Sequence, residues 1–354
     1  MARIPIFTSL LDTIRSCSVG NSSAKPLSLG VIISTYNNPC WLEKTLWGYQ
    51  VQKYDRTPVE LVIADDGSTE ETRKLIDRYR SEFPWQIKHV WHPDEGFRKC
   101  EILNRAIWET EADYLVFADQ DCIPYPNNLE THYRYAQRGW FLSGGNIRLP
   151  LNASRQIRRD DIESGLIFRS QWLWQHYPAD RKWNPFKWFP LLFSSSIWNW
   201  LTTSSATWNG GTSSCWRDDA LLVNGFNELM RYGGEDREFG ERLMNSGIRA
   251  RQCRYSLISL HLDHPRPYDA SADWKQNDAI RRQVRNERCV ETPHGIRQHL
   301  LDWVGGAQNS LQMLQSVLPM KPYEALNFNS EEQPISDFPL NLPFPENVRK
   351  ESVA

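Results

Sequence analysis

Three short stretches place acids where chemistry could use them. In Tyr114–Pro124, YLVFADQDCIP, an apolar run ends on Asp119, Gln120 and Asp121, and a proline follows. A second apolar run, VELVIADDGS, ends on Asp65 and Asp66, and a Gly-Gly pair precedes Glu235 and Asp236 in RYGGEDREFGERL. Residues i and i+2 of a strand share a face, so extended geometry aims Asp119 and Asp121 the same way. Like charges at that spacing are costly unless a cation or proton neutralises them. Mg2+ or Mn2+ meets that need, because each takes carboxylate oxygens and shares them with substrate phosphates. A solvated loop is the plainer reading of D-x-D alone. Its place at the tip of an apolar strand, beside a matching DDGS tip, favours the metal. Acids at a helix start also have a plain reading, as complements to the helix dipole.

The elements that must position these acids follow from the apolar pattern. Val31–Ser34 reads as a buried strand, and Asn38 caps a helix with Pro39 at its first position. VELVIADD is a second strand, and TEETRKLIDRYRSEF is a helix with Leu75, Ile76 and Tyr79 on one face. IKHVWH, a helix over FRKCEILNRAIWE and the Tyr114 strand complete four alternations. Continuous apolar strands between amphipathic helices predict an α/β fold with a mostly parallel sheet flanked by helices. Ligands of such sheets bind beyond the carboxyl ends of the strands. Tyr36, Asp65, Asp66, Asp119 and Asp121 therefore belong around one cleft. Further on, Gly210 and Gly211 permit close backbone approach. Cys215–Arg217 reads as a strand, and a helix begins at Glu235. His261 closes another strand, with His264 three residues on.

Composition narrows the function classes. The chain has 354 residues and a formal charge of −2, so no global field recruits nucleic acid. Its seven cysteines contain no C-x-x-C pair, which predicts reduced thiols and a cytoplasmic setting rather than a disulfide frame. No run reaches the roughly 20 apolar residues of a membrane span. Asp12 and Arg15 interrupt the first apolar patch and argue against a signal peptide, so residues 1–27 read as a leader, at most weakly amphipathic.

The ordered motifs VIISTYNN, LVIADDGS, GFRKCEILNRAI, YLVFADQDC and GGEDREFGERL resemble those of family 2 glycosyltransferases of the GT-A fold. The later part is similar to the galactosyltransferase-type C-terminal module of chondroitin- and hyaluronan-polymerase-like enzymes. The resemblance spans residues 28–268. It implies inverting transfer of a sugar from a nucleoside diphosphate, usually UDP, with a divalent metal, Mn2+ or Mg2+. By position it assigns Thr35 and Tyr36 to the first nucleotide loop, and Asp66, with Asp65 as alternative, to the base. Arg98 and Asn104 match the helix facing the nucleotide-sugar. Asp121 matches the stronger metal ligand, and Asp119 matches the contact to ribose or metal. His261 matches a metal-binding histidine, with His264 as its competitor. Asp236 takes the place of the catalytic base and Glu235 of its support. Where the family often carries Trp before Gly-Gly-Glu-Asp, this chain has Tyr232.

The implied partners are a UDP-sugar and a glycan or lipid-linked acceptor. Seven of the 16 tryptophans lie in residues 165–208. That insertion reads as core packing, as an interfacial surface meeting the inner face of a membrane, or as a platform for acceptor sugars. Residues 28–150 form the nucleotide-sugar half and 209–268 the acceptor half. Residues 269–317 read as a helical extension and 318–354 as an extended tail. Two other readings stand beside the transferase. A nucleotidyltransferase would carry a Gly-rich basic loop where this chain has STYNNPCW. A non-catalytic binding relative would tolerate loss of the acids present here.

Overall fold

The computed structural model describes residues 25–176, 199, 205–264, 271–299 and 303. Strands β1 (Leu29–Thr35), β2 (Val59–Asp65), β3 (Gln86–Trp91) and β4 (Tyr114–Asp119) alternate with helices α1 (Pro39–Gln50), α2 (Glu70–Glu82) and α3 (Lys99–Glu109). Alternate residues of a strand serve opposite faces. Val31 and Ile33 accordingly pack with Leu42 and Leu46 of α1 and with Leu75 and Ile76 of α2. Ile32 and Val62 pack on the other side with Ile102, Leu103 and Ala106 of α3. Burial on both faces is why these strands read as unbroken apolar runs. The Asn38 side chain caps α1, accepting from Trp41 N at 3.4 Å, with Pro39 first in the helix.

Beyond β4 the chain adds β5 (Cys122–Pro124), α4 (Asn128–Tyr135), β6 (Trp140–Ser143), β7 (Gly145–Arg148) and the short helices α5 (Leu151–Gln156), α6 (Arg159–Glu163) and α7 (Ser170–His176). It then forms β8 (Ser213–Trp216), α8 (Arg217–Leu222), α9 (Glu235–Asn245), β9 (Arg249–Gln252), β10 (Ile258–His261) and α10 (Ser271–Glu287). The main sheet has the order β3-β2-β1-β4-β8-β6-β9, and β5-β10-β7 form a smaller one. Pairing in the main sheet is parallel except where β8 meets β4 and β6. This is the α/β arrangement, a mostly parallel sheet flanked by helices, that the apolar pattern predicts.

Two sets of contacts hold α9 in place, one to the sheet and one to the end of α8. Trp208, 2% exposed, meets Phe117, Phe141 and Phe239 at ring distances of 5.3, 5.5 and 4.7 Å. Arg242, fully buried, holds Glu238 through both carboxylate oxygens at 2.7 and 2.8 Å and also donates to Val223 O. Doubled, charge-assisted contacts of that kind fix orientation as well as adding energy.

The expected helical extension begins with α10, which packs on α9 and the loop before it. Asn277 Nδ2 donates to the carbonyls of Arg231 and Gly233 at 2.9 and 2.8 Å, and Arg281 pairs with Glu241 at 2.6 Å. Within the aromatic segment, Trp172 and Trp208 are core residues, whereas Trp174 is 63% exposed. Trp183, Trp188, Trp198 and Trp200 lie outside the described residues, as do residues 1–24 and the tail 318–354. Among the described residues no helix is long and apolar enough to cross a membrane.

Candidate active site

The strand tips meet in register: Thr35 lies opposite Asp65 and Ser34 opposite Asp119. At that rim Ser34 Oγ donates to Asp119 Oδ1 at 2.7 Å, and Lys99 Nζ, on the first residue of α3, donates to the same oxygen at 2.8 Å. Burial opposes the charge of Asp119, but Lys99, Ser34 and His261 outweigh it and hold the carboxyl below its usual range. Burial also works against the Lys99 ammonium. Asp119, Asp236 and Glu235 together overcome that penalty and raise its pKa. Lys99 is thus the cation between the D-x-D tip and the Glu235–Asp236 pair. Sequence reasoning passed over it, although it stands beside Arg98 in the GFRK motif.

The expected extended geometry of the D-x-D triplet is not what forms. β4 stops at Asp119, and Gln120 and Asp121 make a turn before β5. The turn still keeps the ligand atoms of Asp119, Asp121 and Cys122 within 4.8 Å of one another. It also sends Gln120 the other way. Gln120 Oε1 accepts from Thr35 Oγ1 at 2.6 Å and from Tyr36 N at 3.2 Å, and its Nε2 donates to Tyr36 O at 3.2 Å. Gln120, the unassigned middle residue, therefore braces the loop of Thr35 and Tyr36. The Tyr36 hydroxyl donates to Asp94 at 2.9 Å.

Asp121 faces the second sheet. Strand β10 runs antiparallel to β5, setting His261 opposite Cys122, and Leu262 N donates to Asp121 O at 2.8 Å. His264 Nε2 lies 2.9 Å and His261 Nε2 3.5 Å from Asp121 Oδ2. The two histidines are therefore joint neighbours of Asp121 rather than competitors. One ligand atom from each of these three residues falls within 4.8 Å of the others. Carboxylate with imidazole is a donor set that a borderline divalent ion such as Mn2+ accepts, so the residues fit a metal.

Asp65 and Asp66 at the neighbouring strand tip are each held by partners within the fold. Asp65 accepts from Ser68 N at 2.8 Å and contacts His89 Nε2 at 2.8 Å. Asp66 contacts His92 Nε2 at 2.7 Å and accepts from Arg98 N at 3.1 Å, holding the start of α3. The Arg98 guanidinium lies beside Glu95 and Glu101 and donates to Pro93 O at 2.7 Å. Asn104 does not face the rim at all. Its buried amide donates to Phe226 O and Glu228 at 2.9 and 2.8 Å and accepts from Phe226 N at 2.6 Å, tying α3 to the loop before α9.

The Glu235–Asp236 pair sits at the start of α9, behind Gly233 and Gly234, whose φ of 106° and 90° is a conformation that favours glycine. A Cβ on Gly233 would come within 2.7 Å of Trp274 in α10. Glu235 accepts from Gly233 N at 2.9 Å and Asp236 from Gly210 N at 3.0 Å. Asp236 Oδ1 is buried with no hydrogen-bond partner among the described residues. Burial pushes Glu235 up to about 7, with Asp236 adding to the effect. Asp236 is raised chiefly by burial, against the pull of Lys99. A buried acceptor left unmade costs roughly 1–3 kcal/mol, a penalty that a donating hydroxyl would relieve. Glycine is needed at Gly210, where a Cβ would lie 2.9 Å from the Asp236 carboxylate, and at Gly211, where it would meet Cys122 Sγ at 2.8 Å.

Beside Asp236 a cavity of about 630 Å³ opens between the β6–β7 turn, the loop of Thr207–Asn209 and residues Arg254–Ile258.

Residues 30–195 match the family model described as Glycosyl transferase family 2, and residues 194–265 match one described as N-terminal domain of galactosyltransferase. A validoxylamine A glucosyltransferase of Streptomyces hygroscopicus subsp. jinggangensis is 26% identical over 270 residues, covering 71% of this chain and 59% of that protein. A chondroitin synthase of Pasteurella multocida is 24% identical over 283 residues, covering 73% of this chain and 26% of that protein. This chain thus spans less than two thirds of either relative. Among solved structures, the mannosyltransferase PcManGT of Pyrobaculum calidifontis, in complex with GDP-Man and Mn2+, aligns with a TM-score of 0.48 at 18% identity, covering 88% of this chain and 75% of that one.

Proposed function

We propose, from the premise that residues 30–195 belong to glycosyl transferase family 2, that this chain is an inverting, metal-dependent transferase. It moves a sugar from a nucleoside diphosphate, UDP by the habit of its relatives, to a hydroxyl of a glycan or lipid-linked acceptor. One observation carries the reading: at the carboxyl ends of β1 and β4 the D-x-D turn is met by two histidines at Asp121 and by Lys99 at Asp119, and Lys99 also feels the charge of the Glu235–Asp236 pair.

Thr35, Tyr36 and Asp66, with Asp65 behind it, form the nucleotide end of the site, and Arg98 stands at its rim. Asp121, His261 and His264 would hold the metal, with Asp119 at its edge toward the ribose. A divalent cation there supplies charge to offset the negative charge growing on the departing diphosphate. Gly210 and Gly211 leave room beside the reacting carbon. Asp236 accepts the proton of the acceptor hydroxyl as its oxygen bonds to the anomeric carbon and the carbon–phosphate oxygen bond breaks. The transition state has the oxocarbenium character of glycosidic cleavage. Burial, with Asp119 adding to it, raises the basicity of Asp236, and Glu235, adjacent and buried, supports it.

The test is a panel of UDP- and GDP-sugars, each assayed for nucleotide release with Mn2+ and with chelator. Release from one nucleotide class, abolished by chelation, is the expected result. Absence of release from every donor would overturn the reading.

A further inference from the structure

We infer that helix α10 is the positioning element for the Glu235–Asp236 pair and that Asn277 is its positioning residue. The inference rests on the transferase reading, in which Asp236 accepts the proton of the acceptor hydroxyl. Gly233 and Gly234 stand in succession just before that pair, at φ of 106° and 90°. Glycine has more backbone freedom to lose on folding than any other residue. A turn of that kind is fixed by what packs on it.

One face of α10 packs there. Asn277, 1% exposed, donates through Nδ2 to Arg231 O at 2.9 Å and to Gly233 O at 2.8 Å. Among side chains of this size only an amide offers two donors to a pair of carbonyls. Gly233 is thereby bonded on both sides, because its N–H donates to Glu235 at 2.9 Å. Trp274 lies against the same glycine, where an added Cβ would come within 2.7 Å of Trp274 Cε2 and 3.0 Å of its Nε1. A Cβ on Gly234 would lie 3.2 Å from Arg281 Cδ, and Arg281 also pairs with Glu241 of α9 at 2.6 Å. Positions 274, 277 and 281 follow the i, i+3, i+7 spacing of a single helix face.

Position matters here because a base acts over hydrogen-bond distances, and a displacement of about 1 Å can lower a rate by about 10²-fold. Helix α10, Ser271–Glu287, lies beyond the residues matched to the two family models, so its hold on the turn is not part of those matched regions. The far end of α9 supplies a contrast. Asn245, its last residue, likewise donates through Nδ2 to two carbonyls, Val284 O at 3.0 Å and Cys289 O at 2.8 Å. That bridge joins the same two helices but stands away from the Glu235–Asp236 pair.

The experiment compares Asn277→Ala, Trp274→Leu and Asn245→Ala in the full chain, using the UDP- or GDP-sugar from which the native chain releases nucleotide. Steady-state kinetics give kcat and donor KM, and urea unfolding gives stability. Asn277→Ala and Trp274→Leu are expected to lower kcat by about tenfold or more with donor KM within about twofold, because the acids shift while the nucleotide end is untouched. Asn245→Ala loses two bonds of the same kind, so its urea midpoint falls as that of Asn277→Ala does. Its kcat nevertheless stays within about twofold of the native value. Trp274 is half-exposed, so its variant carries the comparison if Asn277→Ala misfolds. Equal kcat in the α10 variants and in Asn245→Ala, or a fall in kcat only in step with a raised donor KM, would overturn the inference alone. No nucleotide release by the native chain from any donor would overturn the transferase reading, and this inference with it.

Discussion

Two pairs of neighbouring acids, Asp65–Asp66 and Glu235–Asp236, occupy similar places, at the end of a strand and at the start of a helix, yet they are treated in opposite ways. Asp65 and Asp66 are buried, and both are bonded to a backbone N–H and to a histidine. Glu235 and Asp236 accept from backbone N–H groups but from no histidine, and a carboxylate oxygen of Asp236 has no partner among the described residues. Satisfied buried acids hold loops in place. Acids kept buried and under-satisfied hold a raised proton affinity, which is what a base near neutrality needs. Lys99 limits the cost by leaning toward the second pair from its contact with Asp119.

The largest expected effect sharpens that contrast. Asp236→Asn is expected to lower kcat by about 10²–10⁴, the usual worth of a general base, with nucleotide binding by calorimetry retained. A smaller loss, on the order of tenfold, is expected for Gly210→Ala. Its added Cβ, 2.9 Å from the Asp236 carboxylate, must displace that group, and steady-state kinetics should register a fall in kcat rather than a rise in donor KM.

The pH dependence follows from the raised acids. Glu235 sits at about 7 in the fold against an ordinary 4.5, so the folded state favours its protonated form. Its contribution to stability is full below about pH 4.5 and is lost as the pH rises through about 7. Asp236, raised in the same direction by burial, must be ionised if it is to accept a proton. Hence kcat should climb toward and through neutrality while Tm declines, and paired pH profiles of rate and melting test both signs.

The smallest effect on turnover is expected at the contrasting pair. Asp65→Asn should leave kcat within a few-fold of the native value while lowering stability by about 1–3 kcal/mol, because it weakens buried charged hydrogen bonds. Denaturant unfolding measures the second quantity. A variant with intact stability and no turnover would erase the distinction between the two pairs.

Much of this site was legible in the sequence where its signals are local. An apolar run ending in D-x-D marks a strand tip, and Gly-Gly before Glu-Asp marks a helix start behind a tight turn. The helix start formed as read, and the strand tip formed at Asp119, but the chain turns at Gln120 and Asp121 instead of staying extended. Illegible were the features made by distant pairing. Nothing near His264 tells that β10 will run antiparallel to β5 and bring both histidines to Asp121. Asn104 lies on a helix whose sequence matched a nucleotide-facing pattern, but the loop at Phe226 claimed its amide. Gln120 and Lys99 escaped notice because an amide between two acids, or a lysine beside an arginine, has no distinctive spacing. Their roles appear only once the rim has closed.

The central claim, a metal-dependent nucleotide site at the D-x-D turn, is tested most directly by calorimetric titration of UDP and GDP with and without Mn2+, on the native chain and on Asp121→Ala. The account predicts that one nucleotide binds the native chain only with Mn2+ and that this binding is lost in the variant. Metal-independent binding that is equal in both proteins, or no binding to the native chain under either condition, would contradict it.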